Sequence, residues 1–218
     1  MTPAPAEDGD SRRVPAREGR GEVREKGSRF LAYAARAGSA AEAGAFVDRL
    51  EREHHDATHV AFAWRIGAGP DAVRRASDAG EPAGTAGKPI LAAIESAGLT
   101  DVAAAVVRHF GGTKLGTGGL ARAYRSAAGL ALADAGVTVV FAVIRLEVRC
   151  PFDRLAVVRR LLDPPAVRLV AERFEPEPVL ELEIRASRAD GVRAALAAAQ
   201  LDAAEPASGA EVRGDAGR

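Results

Sequence analysis

Between residues 20 and 207 the chain switches repeatedly between the two-residue apolar period of a half-buried strand and the 3.6-residue period of an amphipathic helix. "EVREKGSRFLAYAAR" (22–36) reads as one or two strands. "SAAEAGAFVDRLEREHH" (39–55) reads as a helix, with Ser39 as N-cap, Glu42 at the capping-box position and Phe46, Val47 and Leu50 on one face. "THVAFAWRI" (58–66) predicts a strand, and "AVRRASDAGEPAGTAGKP" (72–89) begins as a short strand and becomes a loop. Thr85 and Pro89 suit a helix entry for "ILAAIESAG", which Gly98 stops. "DVAAAVVRHF" (101–110) is a buried strand, and a glycine-rich loop leads from it into a second long helix that ends at Gly136.

"VTVVFAVIRLEVRC" (137–150) follows as a long strand region that crosses a domain boundary, placed at 143/144. From Ile144 the order is strand, helix, strand, strand, helix, strand, the split-βαβ arrangement of a ferredoxin-like domain. The chain therefore reads as α+β, with domains at 21–143 and 144–207. Residues 1–20 and 208–218 are rich in Gly, Pro and charge and poor in apolar side chains, so both are expected to be disordered tails.

Composition narrows the function. Thirty basic residues balance thirty acidic ones, so attraction to a polyanion has to come from local clustering. A single cysteine, Cys150, excludes an intrachain disulfide and a multi-cysteine metal cluster, and fits a reducing compartment. Neither a leader-type apolar segment nor a membrane-length apolar run is evident, so the expected location is cytoplasmic, with no membrane partner. No cofactor and no metal are expected.

Local clustering is found in "RHFGGTKLGTGGLARAY" (108–124). No Asp or Glu occurs from Val102 to Ala133, whereas Arg108, Lys114, Arg122 and Arg125 do. Gly111, Gly112, Gly116, Gly118 and Gly119 allow tight turns and close approach, and backbone N–H groups at a helix start attract anions. The loop fails the Walker A pattern, and "GTAGKP" fails it too because Pro82 and Pro89 occupy required positions. "GTGGLA" matches the dinucleotide-binding pattern only loosely. A bland reading, a tight turn followed by arginines solvating a helix face, stands beside the anion-binding one.

Two smaller clusters carry alternatives. Asp78 and Glu81, with Lys88 nearby, form an acid pair suited to acid–base work or a divalent cation, or else Asp78 caps a turn and Glu81 meets Arg74, Arg75 or Lys88. His54, His55, Asp56 and His59 form the histidine cluster; His55 and His59 would share a strand face if the chain were extended there, or mark an exposed helix end. Cys150 receives no catalytic role.

"KGSRF", "DATHVAFAW", "SDAGEPAGTAGKPIL" and "VVRHFGGTKLGTGGLARAY", in this order, closely resemble the IMPACT family, bacterial YigZ type, over residues 20–140. Two departures stand out: Ala79 where the family usually has a second acid, and His109 where an aromatic, usually Tyr, is found. The resemblance implies a first domain of the ribosomal protein S5 domain 2-like fold and a ferredoxin-like second domain similar to domain V of elongation factor G. It also implies a role in regulating translation, as in eukaryotic relatives that act through the amino-acid-starvation kinase pathway. Three functional readings follow: a non-enzymatic RNA- or ribosome-binding regulator using the glycine loop and its arginines; an enzyme on a phosphorylated small molecule, with Asp78 or Glu81 as base and Lys88 or Lys114 on the phosphate; and a protein-interaction module.

Overall fold

The protein is described by a computed structural model that covers residues 10–174, 176–205 and 214–215. It is mixed α and β, with antiparallel sheets, and divides into two compact units, 13–138 and 139–218 together with 1–12.

In the first unit, β2 (Gly19–Glu25), β3 (Ser28–Arg36), β4 (His59–Ile66), β5 (Val73–Ser77) and β6 (Val102–His109) form one sheet ordered β2-β3-β6-β4-β5. Every neighbouring pair is antiparallel. Strand β6 lies at the centre, which explains its unbroken apolar run: each face of it is covered. Ala104 and Val106 join Phe30, Ala32, Ala61 and Ala63 under two helices, α2 (Gly87–Ala97) and α3 (Gly116–Ala135). The alternate residues, Ala103, Ala105 and Val107, join Val60 and Trp64 under α1 (Ala40–Glu53).

The predicted helix start at Ser39 is observed, with the Glu42 N–H donating to Ser39 Oγ at 3.2 Å. Glu42 returns its carboxylate to the N–H of Gly38 at 2.8 Å, one residue before the cap. Gly98 ends α2 with φ 63°, the left-handed turn a glycine takes without strain. The entry of α2 differs from expectation: Ala86 is the cap residue, and Thr85 donates to Pro82 O at 2.7 Å.

The N-terminal tail also differs. Residues 11–15 form β1 (Ser11–Pro15), Val14 is buried, and β2 starts at Gly19. Composition misleads here because this segment is ordered by its backbone. A Cβ at Gly19 would stand 2.2 Å from Ala131 O, so β2 lies directly against α3 and glycine is what permits it. Residues 1–9, expected to be disordered, lie outside the described residues. Of the expected C-terminal tail, Gly214–Asp215 forms β12, paired with β7 (Val137–Phe141) in a sheet ordered β1-β7-β12; the rest lies outside the described residues. The chain passes between units within β1 and again within β7, upstream of the boundary expected at 143/144. Ala142 alone separates β7 from β8 (Val143–Arg149), so the apolar run carries no mark of the division.

In the second unit, β8, a short helix α4 (Leu155–Arg160), β9 (Val167–Phe174), β10 (Pro178–Arg185), α5 (Ala189–Ala198) and β11 (Ala203–Ala204) follow in the β-α-β-β-α-β order expected, as a sheet ordered β11-β8-β10-β9. Leu146, Val148, Leu182 and Ile184 pack with Val158, Val192 and Leu196 from the helices. The opposite sheet face is a mesh of ion pairs: Arg145 with Glu181 at 2.8 Å, Arg173 with Glu147 at 2.6 Å, and Arg168 with the buried Glu183. Cys150 is buried, and burial pushes its thiol pKa up, away from reactivity. Among the described residues no helix is long and apolar enough to cross a membrane.

The contact of β2 with α3 is testable. Gly19→Ala should destabilise the protein by about 1–3 kcal/mol, because the clash is with backbone that cannot rotate away. Thermal unfolding should show this as a lowered Tm, at roughly 2–4 °C per kcal/mol; an unchanged Tm would refute the close approach.

Candidate functional site

The motif-bearing segments meet where β6 ends and the glycine loop begins. At their centre is Glu81, 8% exposed. Its Oε1 accepts from Arg108 Nη1 at 2.6 Å and from the Tyr124 hydroxyl at 2.7 Å. His59 Nε2 stands 4.0 Å from the same oxygen, while its Nδ1 hydrogen-bonds Ala79 O at 2.8 Å. The Ala79 carbonyl can only accept, so Nδ1 is the donor of that bond. Arg108 also reaches Ser28 Oγ at 3.4 Å, and its guanidinium lies between the rings of Phe30 and Phe110, 5.5 and 5.4 Å from their centroids. Phe30 in turn meets Tyr124 edge-on at 5.1 Å. Burial, then the hydrogen bond to Glu81, pushes the Tyr124 pKa far up, so the phenol stays protonated and donates.

This geometry corrects the expectation for Arg108. The sequence pattern groups it with the surface cations, yet it is 5% exposed and ion-paired with Glu81, away from any external phosphate. Glu81 in turn pairs with none of Arg74, Arg75 and Lys88. Arg74 lies 3.5 Å from Glu95, and Arg75 sits over Trp64 and Phe62.

Asp78 does cap a turn, on a larger scale than expected. Its Oδ2 accepts from Gly84 N at 2.7 Å and its Oδ1 from Ala86 N and Gly87 N at 2.9 and 2.8 Å. The carboxylate thus fills the anion position at the start of α2. Burial raises its pKa, but the three N–H donors and Lys88 outweigh that and hold it below the ordinary aspartate value. Asp78 and Glu81 therefore face different partners and do not act as an acid pair. Lys88 lies in the first turn of α2, exposed.

The glycine loop leaves this buried knot at a fixed place. A Cβ at Gly111 would stand 1.9 Å from the Gly27 carbonyl carbon, so the loop is pressed onto the β2–β3 turn, where the Gly111 N–H also donates to Ser28 Oγ at 3.2 Å. Gly112 and Gly116 have φ of 86° and 71°, whereas Gly118 and Gly119 lie in the first turn of α3. Leu115, the N-cap of α3, supplies no side-chain hydrogen bond, and no acid stands in that first turn. Lys114 is exposed, and Arg122 folds back so that Nη1 lies 3.5 Å from where a Gly118 Cβ would stand. Neither forms an ion pair among the described residues. Lys26, exposed on the β2–β3 turn against Gly111, belongs to the same surface. The sequence held it within "KGSRF", but only the turn-to-loop contact reveals its place. Arg125 does not belong there. Nine residues into α3, roughly 13 Å along the axis, it faces α2 and donates to Ser96 Oγ at 3.0 Å.

The histidines separate. His54 caps the end of α1 and meets the Tyr33 hydroxyl at 2.9 Å, His55 is exposed in the following turn, and His59 is in β4. Among the described residues no group of three His, Cys, Asp or Glu is placed to hold a metal ion.

The Impact N-terminal domain family matches residues 26–132, the span that holds Ser28, His59, Asp78, Glu81, Arg108 and Tyr124. The IMPACT family member YigZ of Escherichia coli (strain K12) is 34% identical over 173 residues, 79% of this chain and 85% of that protein. The chain belongs to the IMPACT family. An IMPACT family member of Haemophilus influenzae is 36% identical over 153 residues, 69% of this chain and 73% of the other. A crystal structure described as that of a hypothetical protein is similar with a TM-score of 0.65 at 30% identity, covering 91% of this chain and 98% of that one. Ala79 takes φ 49° and uses its carbonyl on His59, while His109 Nδ1 lies 3.9 Å from Asp56.

Two outcomes follow. Glu81→Gln should cost about 3–5 kcal/mol, since it leaves a buried guanidinium without its counter-charge, and Tyr124→Phe about 1.5–3 kcal/mol. Their double mutant in urea unfolding should cost clearly less than the two added together; strict additivity would deny the shared oxygen. For Asp78, a lowered folded pKa means stabilisation present above the unfolded value of about 3.9 and lost as pH falls through the folded value. Asp78→Asn should therefore be less stable than wild type at neutral pH, and the gap should narrow under acid conditions. A gap independent of pH would contradict the capping role.

Proposed function

We propose that this IMPACT family protein is a regulator of translation whose first unit binds the phosphate backbone of RNA, the ribosome's included, through the glycine loop and the start of α3. The observation that carries this reading is the contrast between two helix starts. Asp78 occupies the start of α2, whereas the start of α3 has no acid and no side-chain cap and is flanked by Lys114 and Arg122, with Lys26 on the turn packed against Gly111 at the base of the loop. N–H groups at a helix start take phosphate oxygens, and the cations add charge-assisted contacts. The contacts expected are with backbone, carrying little sequence preference. The second unit supports that expectation, since the mesh face of β8, β10 and β9 carries ion-paired Arg and Glu and no aromatic ring.

The fold assignments belong to the same proposal. We read the first unit as S5 domain 2-like and the second as ferredoxin-like, the latter supported by its β-α-β-β-α-β order and its β11-β8-β10-β9 sheet. Folds of this kind recur in the translation machinery, which supports the role by analogy. The enzymatic reading has less support: Asp78 accepts three backbone hydrogen bonds and Glu81 is buried against Arg108 and Tyr124, so the carboxylates it needs as a base are both engaged.

Fluorescence anisotropy with a labelled ribosomal RNA fragment tests the proposal. Log K should fall linearly with log salt, and Lys114→Ala combined with Arg122→Ala should weaken binding and reduce the slope by roughly one per lost phosphate contact. Equal affinity and slope for wild type and double mutant would sink it.

A further inference from the structure

The α2-facing side of α3 carries a feature that the RNA reading does not use. A cleft of about 330 Å³ runs between the two helices, open to solvent, and its walls include Ala93, Ala97, Leu99, Leu132, Ala133 and Val137. Small residues keep the helices' surfaces low there, and Gly129 contributes no side chain at all. Val137 at this cleft is 48% exposed. Such apolar surface is better covered than left in water.

The one charged side chain that lines the cleft is a cation. Arg125 lines it, held by the neutral Ser96 hydroxyl at 3.0 Å, with no carboxylate in ion-pair range among the described residues. Nearby acids are already committed. Glu95 of α2 lies 3.5 Å from Arg74, and Asp134 of α3 accepts from Arg17 at 2.7 Å and from the Arg20 N–H at 2.9 Å. An apolar cleft with an acid-free cation selects an occupant that brings both a bulky apolar side chain and a carboxylate. RNA brings neither an aliphatic group to fill the walls nor, in this lining, an aromatic ring to stack upon.

We infer that the α2–α3 cleft is a docking site for an acidic, amphipathic segment of another protein, seated with an apolar side chain between Ala97 and Leu132 and a carboxylate on Arg125. The site is independent of the glycine loop, so it and the RNA reading stand or fall separately.

Two substitutions test it without threatening the fold. A Cβ at Gly129 meets nothing within 4 Å, so Gly129→Leu fills the cleft and replaces a helix-interior glycine with a better helix former. Arg125→Glu reverses the charge at an exposed position. A displayed library of random peptides is selected on the full chain, and the affinities of enriched peptides are measured by anisotropy, with RNA binding measured in parallel. The inference expects peptides combining acidic and bulky apolar residues, bound roughly tenfold or more weakly by each variant, a loss of about 1.4 kcal/mol, while RNA affinity is unchanged. It is overturned if no such peptides are enriched, if they bind both variants like wild type, or if Arg125→Glu weakens RNA binding and leaves peptide binding intact.

Discussion

The first unit is organised around one buried carboxylate oxygen. Glu81 Oε1 receives Arg108 from the end of β6 and Tyr124 from the third turn of α3, so a loop, a strand and a helix share a single acceptor. Taking an ion pair out of water costs several kcal/mol per ion, and only good geometry with further hydrogen bonds offsets it. Here the offset is visible: Tyr124 adds a neutral donor, and Phe30 and Phe110 present ring faces to the guanidinium. Removing one partner leaves a charge stranded in an apolar setting. The arrangement therefore fixes where β6 ends and where α3 begins relative to each other.

That constraint shapes the surface above it. Because Arg108 is paired with Glu81 and Gly111 is pressed onto Gly27, the glycine loop leaves the buried knot at a fixed point. Phe110 shows the transition within one residue: it covers the buried guanidinium with one face and remains 46% exposed. The exposed loop above that base carries Lys114 and, at the start of α3, Arg122, a local excess of positive charge in a chain of zero net charge.

Local signals were legible in the sequence, and long-range pairings were not. Ser39 with Glu42, the left-handed Gly98 and the unbroken run of β6 each depend on neighbours within a few residues or on burial alone, and each was readable. Arg108 was misread because its partner lies 27 residues away. Nothing local distinguishes it from Lys114, and only the strand register that places β6 beside β3 and β4 brings it under the loop of Glu81. Asp78 was read as a turn cap, but the reach of its carboxylate to Gly84, Ala86 and Gly87 depends on how the loop closes. Residues 11–20 were missed for a different reason. Composition measures what side chains can bury, whereas β1 and β2 are ordered by backbone pairing and by a glycine placed against α3.

Helix α3 carries the consequence furthest. Its buried stripe, with Leu120, Tyr124, Ala127 and Ala131, is committed to the sheet, and the rest of its surface, acid-free up to Asp134, is divided between two directions. Toward its start, Arg122 folds back to the glycine loop; along its side, Arg125 and Gly129 face α2. These surfaces differ in chemistry, since one offers N–H groups and cations and the other an aliphatic cleft with a single guanidinium. In the two proposals above, the first surface is matched to an extended polyanion and the second to an amphipathic acidic segment. Asp134, near its end, is the one acid of this helix and is paired with Arg17, so both proposed surfaces lie on an acid-free stretch outside the stripe that the sheet already covers.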